Sequence, residues 1–168
     1  MIIKTQLKGK VHKFGDDITA DYIFAGKHRA KAENVLDLKD YVFNEIRPGF
    51  AKTVTQGDIL VAGENFGLGS SREHATTLIK ALGIEAILAK SFARIFYRNC
   101  INIGLPVIEC ETDLINESDI IIVDLKKGTV NDLSTNQSMN FRPVPESLWQ
   151  ILECGGLVNY LKKIGEEG

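Results

Sequence analysis

The alternation of apolar and polar positions changes character three times along the 168 residues. The opening "IIKTQLKGKVHKF" (2–14) alternates apolar and polar residues and predicts a strand pair broken near Gly9. "GDDITADYIFAGKHRAKAEN" (15–34) follows with mixed charge and no clear period, the pattern of an irregular loop that carries function. In "VLDLKDYVFNEI" (35–46), Val35, Leu38, Val42 and Ile46 fall near helical spacing until Pro48-Gly49 stops them, which predicts a helix. The middle is more regular. "GDILVAG" (57–63), "IEAILA" (84–89) and "LPVIEC" (105–110) are short, continuously apolar runs that predict buried strands. Between them, Ala75, Leu78, Ile79 and Leu82 mark one face of a helix with Gly83 placed to cap it. Phe92, Ile95, Phe96 and Ile103 mark one side of a second helix. Strand, helix, strand, helix, strand predicts parallel β-α-β units. Further on, "DIIIVDLKKGTVNDLSTNQSMNFRPV" (119–144) has the short runs and turn residues of antiparallel strands. "PESLWQILECGGLVNYLKK" (145–163) then predicts a helix, a Gly-Gly break and a second helix.

Composition narrows the class. With 44% apolar and 25% charged residues, the chain reads as one globular α/β domain over 1–168, with a mostly parallel strand-helix-strand core and antiparallel additions. Twenty basic residues against 22 acidic ones leave a formal charge of -2, so nothing global draws the chain to nucleic acid or a membrane surface. The first residues lack the long apolar core of a secretion signal and no run approaches a membrane span, so a cytoplasmic location is expected. Cys100, Cys110 and Cys154 are an odd number without CxxC spacing, which argues against a disulfide scaffold or a metal site built by this chain alone. Cys100, inside "YRNCINIGLP", reads as a buried free thiol.

The chemistry concentrates in "GENFGLGSSREHA" (63–75). Glycines at 63, 67 and 69 let backbone N–H groups converge where a strand turns into a helix, and the first N–H groups of that helix have no internal partner. Arg72 adds a full charge and a fork suited to carboxylate or phosphate. The run lacks the lysine of a Walker loop, the GxGxxG of a dinucleotide turn and the GxSxG of a hydrolase elbow. Two readings stand. Ser70 or Ser71 simply caps the helix, or the segment is an anion cradle with hydroxyls aimed into it, one of which acts as a base.

"GENFGLGSSREHA" together with "AKSFARIFYRNCINIGLPVIE" (89–109) resembles the small, swivelling subunit of the aconitase superfamily, closest to the small subunits of 3-isopropylmalate dehydratase and homoaconitase. The likeness runs from "GKVHKFGDDITAD" to "GGLVNYLKK", nearly the whole chain. It implies a swivelling β/β/α domain and half of a hydro-lyase that isomerises 2-isopropylmalate and 3-isopropylmalate through an unsaturated diacid, in leucine biosynthesis. A separate large subunit would carry a [4Fe-4S] cluster on its own cysteines. The first serine of the Ser-Ser-Arg run, Ser70, would be the base at the carbon next to a carboxylate. Ser71 and Arg72 would bind the substrate carboxylate, and Asp21 of "GDDITADYI" would make a polar contact in the closed site. A turn-forming role is the other reading of Asp21.

The chain departs from the family's pattern in "FAGKHRAKAEN" (24–34), where Ala25 replaces an expected proline and His28 an expected tyrosine. Lys27, Arg29 and Lys31 bring three positive charges there; Arg29 is the candidate for substrate contact and the lysines are expected in solvent. The departure leaves homoaconitase or another 2-alkylmalate dehydratase open as the activity. An alternative of another class is a stand-alone dicarboxylate-binding regulatory domain without a cluster partner. His74 reads as a structural partner or as an acid, and Arg94, Arg98 and Asn102, four residues apart, form either a solvated stripe or an anchor for the large subunit or for the loop holding Ser70.

Overall fold

The structure is a computed structural model that describes residues 3–69 and 74–168. Among the described residues seven strands form one mixed sheet in the order β4-β3-β2-β1-β5-β6-β7. β1 (Gln6–Lys13), β2 (Ile59–Val61), β3 (Ala86–Ala89) and β4 (Val107–Glu109) are parallel to one another. β5 (Ile120–Asp124), β6 (Thr129–Asp132) and β7 (Gln137–Asn140) extend the other side as an antiparallel meander beginning against β1. The helices are α1 (Ala20–Ile23), α2 (His74–Leu82), α3 (Arg94–Asn102), α4 (Glu146–Glu153) and α5 (Leu157–Glu167).

The parallel half is covered on both faces, which explains its unbroken apolar runs. In β2, Leu60 points to one core with Phe66, Leu78, Ile79 and Phe96, whereas Ile59 and Val61 point to a second with Val11, Leu88, Val123 and Trp149. Parallel pairing with a helix after β2 and β3 matches the expected β-α-β units, and the last third is antiparallel as its turns imply. Gly83 closes α2 with φ +106, a backbone state that costs an L side chain strain.

Three local expectations are corrected. β1 runs unbroken through Gly9, because that glycine marks a close approach: a Cβ there would collide with the backbone carbonyl of Gly57. The helix expected over 35–46 is a 3₁₀ helix, Val35–Tyr41, followed by turns. It ends because Phe43 takes φ +56 and spends its N–H on the carbonyl of Ile23, 2.8 Å away, so the helical ladder cannot continue. On α3 the buried face is Phe96, Cys100 and Ile101, while Ile95 is 50% exposed. Ala93 is still extended, so Phe92 precedes the helix and the apolar stripe is shifted by one position.

Candidate active site

Because β1, β2 and β3 are parallel, the segments leaving their carboxyl ends emerge along one edge of the sheet, where α/β proteins build binding sites. Here those segments are stitched together. The loop after β1 is zipped to the glycine run after β2: Asp17 N–H donates to the Glu64 carbonyl (2.8 Å), Gly67 N–H to that of Ile18 (2.7 Å) and Ala20 N–H to that of Leu68 (2.6 Å). Asp16 Oδ1 accepts from Glu64 N–H at 2.7 Å, and Asp17 Oδ1 from the Asn65 amide at 2.9 Å. The glycine run is tied equally to the loop after β3, with Phe66 N–H donating to the Ser91 carbonyl (3.0 Å) and Ala93 N–H to that of Phe66 (2.9 Å). Phe66 anchors the junction, fully buried and edge-on to Phe92 and Phe96 at 6.1 and 5.3 Å.

Thr19 then caps α1, its hydroxyl accepting from Tyr22 N–H at 3.1 Å, and Asp21 follows in the first turn. A cavity of about 270 Å³ opens beside it, lined by Asp21, Phe24, Gly26, Arg29, His74 and Ala75. Two residues singled out from the sequence, Asp21 and Arg29, thus share one cavity with His74, the first described residue of α2. Ser70, Ser71 and Arg72, the other expected site residues, lie outside the described residues, between Gly69 and His74 in the sequence.

The loop carrying Arg29 is a 3₁₀ helix, Gly26–Lys31, whose His28, Lys27 and Lys31 are held by Glu45 and Tyr41, two residues that sequence reasoning did not single out. His28 is buried, stacks on Tyr41 at 4.4 Å and places Nε2 2.9 Å from Glu45 Oε1. Lys27 reaches the other Glu45 oxygen at 3.0 Å, and Lys31 sits over the Tyr41 ring at 4.5 Å. The two lysines are therefore spent on the loop's own scaffold. Arg29 donates to the Ala32 carbonyl at 3.3 Å, and its other donors have no partner among the described residues. Hydrogen bonds from His28 and then Lys27 hold the Glu45 carboxyl below its ordinary value. The clamp's contribution is therefore present above the ordinary carboxylate range and is lost as pH falls through that lowered value. No sequence signal marks Glu45 or Tyr41, since both act across the chain's folding rather than along it.

Cys100 is fully buried and burial pushes its thiol far up; burial, then Glu111, pushes Cys110 up to about 12. Among the described residues no three His, Cys, Asp or Glu side chains group as metal ligands. Near pH 8 about one Cys110 thiol in ten thousand is ionised, so iodoacetamide applied to the native protein is expected to leave Cys100 and Cys110 unmodified by peptide mass spectrometry. Rapid alkylation of either would contradict this burial.

The family model described as the aconitase C-terminal domain matches residues 2–113. The chain belongs to that family. Within it, the chain is 51% identical to 3-isopropylmalate dehydratase small subunit 1 of Thermotoga maritima, over 95% of this chain and 96% of that protein. It is also 51% identical to 3-isopropylmalate dehydratase small subunit 1 of Archaeoglobus fulgidus, over 94% and 98% of the two chains. A crystal structure of 3-isopropylmalate dehydratase from Methanocaldococcus jannaschii superposes with a TM-score of 0.90 at 44% identity, covering 97% of this chain and 99% of that one. The swivelling α/β architecture implied by the sequence motifs is therefore the architecture of the aconitase C-terminal domain family member described here. No helix among the described residues is long and apolar enough to cross a membrane.

Proposed function

We propose that this chain is the small subunit of an isopropylmalate-type dehydratase, contributing half of an active site that a large iron-sulfur subunit completes in the cytoplasm. The observation that carries the reading is the convergence of Asp21, Arg29 and His74 on one cavity beside the glycine run that leads into Ser70-Ser71-Arg72. A cavity with a guanidinium group suits a carboxylate. The reaction removes a hydroxyl from one carbon and a proton from its neighbour, leaving an unsaturated diacid, and returns each to the other carbon. In this reading Ser70 takes and returns the proton, with Arg72 and the neighbouring N–H groups favouring its alkoxide, and Ser71 and Arg72 hold the adjacent carboxylate. Asp21 and Arg29 orient the rest of the acid. A cluster bound on the large subunit would supply a Lewis acid to the departing hydroxyl.

Anaerobic co-purification with the large subunit, iron analysis and an absorbance assay for unsaturated diacid test the reading. Dehydration of 2-alkylmalates by an iron-bearing heteromer is expected, and isopropylmalate is the expected preferred acid over homocitrate-type acids. Recovery of an iron-free, inactive single chain under the same conditions would overturn it. For Arg29→Ala, KM for the preferred acid is expected to rise about 10-fold with kcat little changed, because a charged hydrogen bond to a carboxylate held in ground and transition states alike is lost. An unaltered KM would remove Arg29 from the site.

A further inference from the structure

Arg29 reaches the cavity from the 3₁₀ helix Gly26–Lys31, an element of six residues whose start has no side-chain cap. Hydrogen bonds between residues three apart are weaker than those of an α-helix, so such an element depends on what its side chains grip. With three residues per turn, side chains three apart lie on one face. His28 and Lys31 share a face, and both meet Tyr41: the imidazole stacks on its ring at 4.4 Å and Lys31 Nζ sits 4.5 Å from the ring centre. Lys27 and Arg29 project to either side of that face. Lys27 goes to Glu45 and Arg29 to the cavity.

Glu45 completes the attachment. One of its oxygens lies 2.9 Å from His28 Nε2 and the other 3.0 Å from Lys27 Nζ, so one carboxylate ties the two residues that precede Arg29. A carboxylate only accepts, so Nε2 carries the proton and donates. His28 is 5% exposed, and its other ring nitrogen, Nδ1, is buried without a hydrogen-bond partner among the described residues. The bond to Glu45 is therefore what satisfies this ring. Without the carboxylate both ring nitrogens would be buried and unpaired, a state costly enough to drive the imidazole out toward water. The backbone that would move with it carries Arg29.

We propose that Glu45 is a positioning residue for substrate binding, which holds His28 by a hydrogen bond and so fixes the backbone from which Arg29 reaches a substrate carboxylate. Glu45 is not among the residues lining the cavity, so it acts through Arg29 and touches no reacting atom. A guanidinium held in place before the substrate arrives binds more tightly than one that has to be ordered on arrival. This inference rests on the reading of Arg29 as a substrate contact in the two-subunit enzyme.

The test is a double-mutant cycle on the assembled heteromer, with KM and kcat for the preferred acid measured for the parent, Glu45→Ala, Arg29→Ala and the double variant. The Glu45 side chain is 33% exposed, so its truncation opens no cavity in the core. Glu45→Ala is expected to raise KM about 5-fold with kcat kept within about 2-fold. In the Arg29→Ala background the same change is expected to add less than about 1.5-fold, because nothing is left to position. Glu45→Gln, which keeps an acceptor for His28 Nε2, is expected to bring KM back to within about 2-fold of the parent. A parental KM in Glu45→Ala, with KM still raised in Arg29→Ala, overturns the proposal and leaves the reading of Arg29 intact. The same factor in both backgrounds overturns it as well, since Glu45 would then act apart from Arg29. So does a Glu45→Gln variant as impaired as Glu45→Ala, because the bond to His28 would not be what places the loop. A parental KM in Arg29→Ala overturns the reading of Arg29 and the proposal together, and that single variant shows it.

Discussion

Ser70→Ala is expected to lower kcat by about 100- to 10,000-fold in a heteromer that still assembles, the usual range for loss of a general base. A serine hydroxyl is a poor base in water, so the role demands neighbours that favour its alkoxide. The sequence provides Arg72 two residues on, and the glycine run before it keeps backbone close to the cavity bearing Asp21 and Arg29. The two serines separate under test. Ser71→Ala, which on this reading loses carboxylate binding, should act mainly on KM, whereas Ser70→Ala should act on kcat with KM nearly kept. Steady-state kinetics on purified heteromers read both at once. If Ser70→Ala turned over within a few-fold of the parent, the proton would have to move through another group, and His74 in the same cavity would be the next residue to change.

The parallel half of the fold was legible because its strands are buried on both faces and its helices are punctuated by glycine. Ile59–Val61 and Ala86–Ala89 are apolar at every position for the simple reason that each face meets a core. Errors fell where tertiary contacts overrode local pattern. Gly9 resembles a strand breaker in one dimension, yet it is required by the approach of Gly57, fixed 48 residues away. The apolar spacing from Val35 to Ile46 suits an α-helix, but Phe43 N–H is claimed by Ile23 and the helix tightens and stops. The site divides the same way. Asp21 could be named from a motif position and Arg29 from its charge in the loop that departs from the motif, and the two share a cavity. His28 was visible as a departure from the family pattern, but its partners in the clamp beneath Arg29 were not, because Tyr41 and Glu45 lie 13 and 17 residues beyond it and carry no motif.

Gly67→Ala is expected to destabilise the fold by about 3 kcal/mol and to loosen the site with it. Two costs combine. Gly67 holds φ +87, where an L residue is strained by roughly 1–2 kcal/mol, and a new Cβ would overlap Cβ and Cγ of Phe96. Those atoms lie close to the α3 backbone rather than at a flexible tip, and Phe96 is packed between Phe66 and Phe92, so overpacking adds roughly 1–3 kcal/mol. For a chain of this size the melting temperature should fall by about 10 °C. Gly69→Ala is the control: it shares the left-handed backbone, φ +106, but a Cβ there meets nothing within 4 Å, so it should lose only the strain. Function should follow the same ranking. Gly67 N–H bonds the Ile18 carbonyl, the link that holds the loop bearing Asp21 against the glycine run. If Phe96 shifts to admit the methyl group, that link stretches and KM should rise along with the loss of stability. Equal melting temperatures for the two variants would mean that the aromatic cluster yields freely, and the rigidity assigned to this junction would be lost.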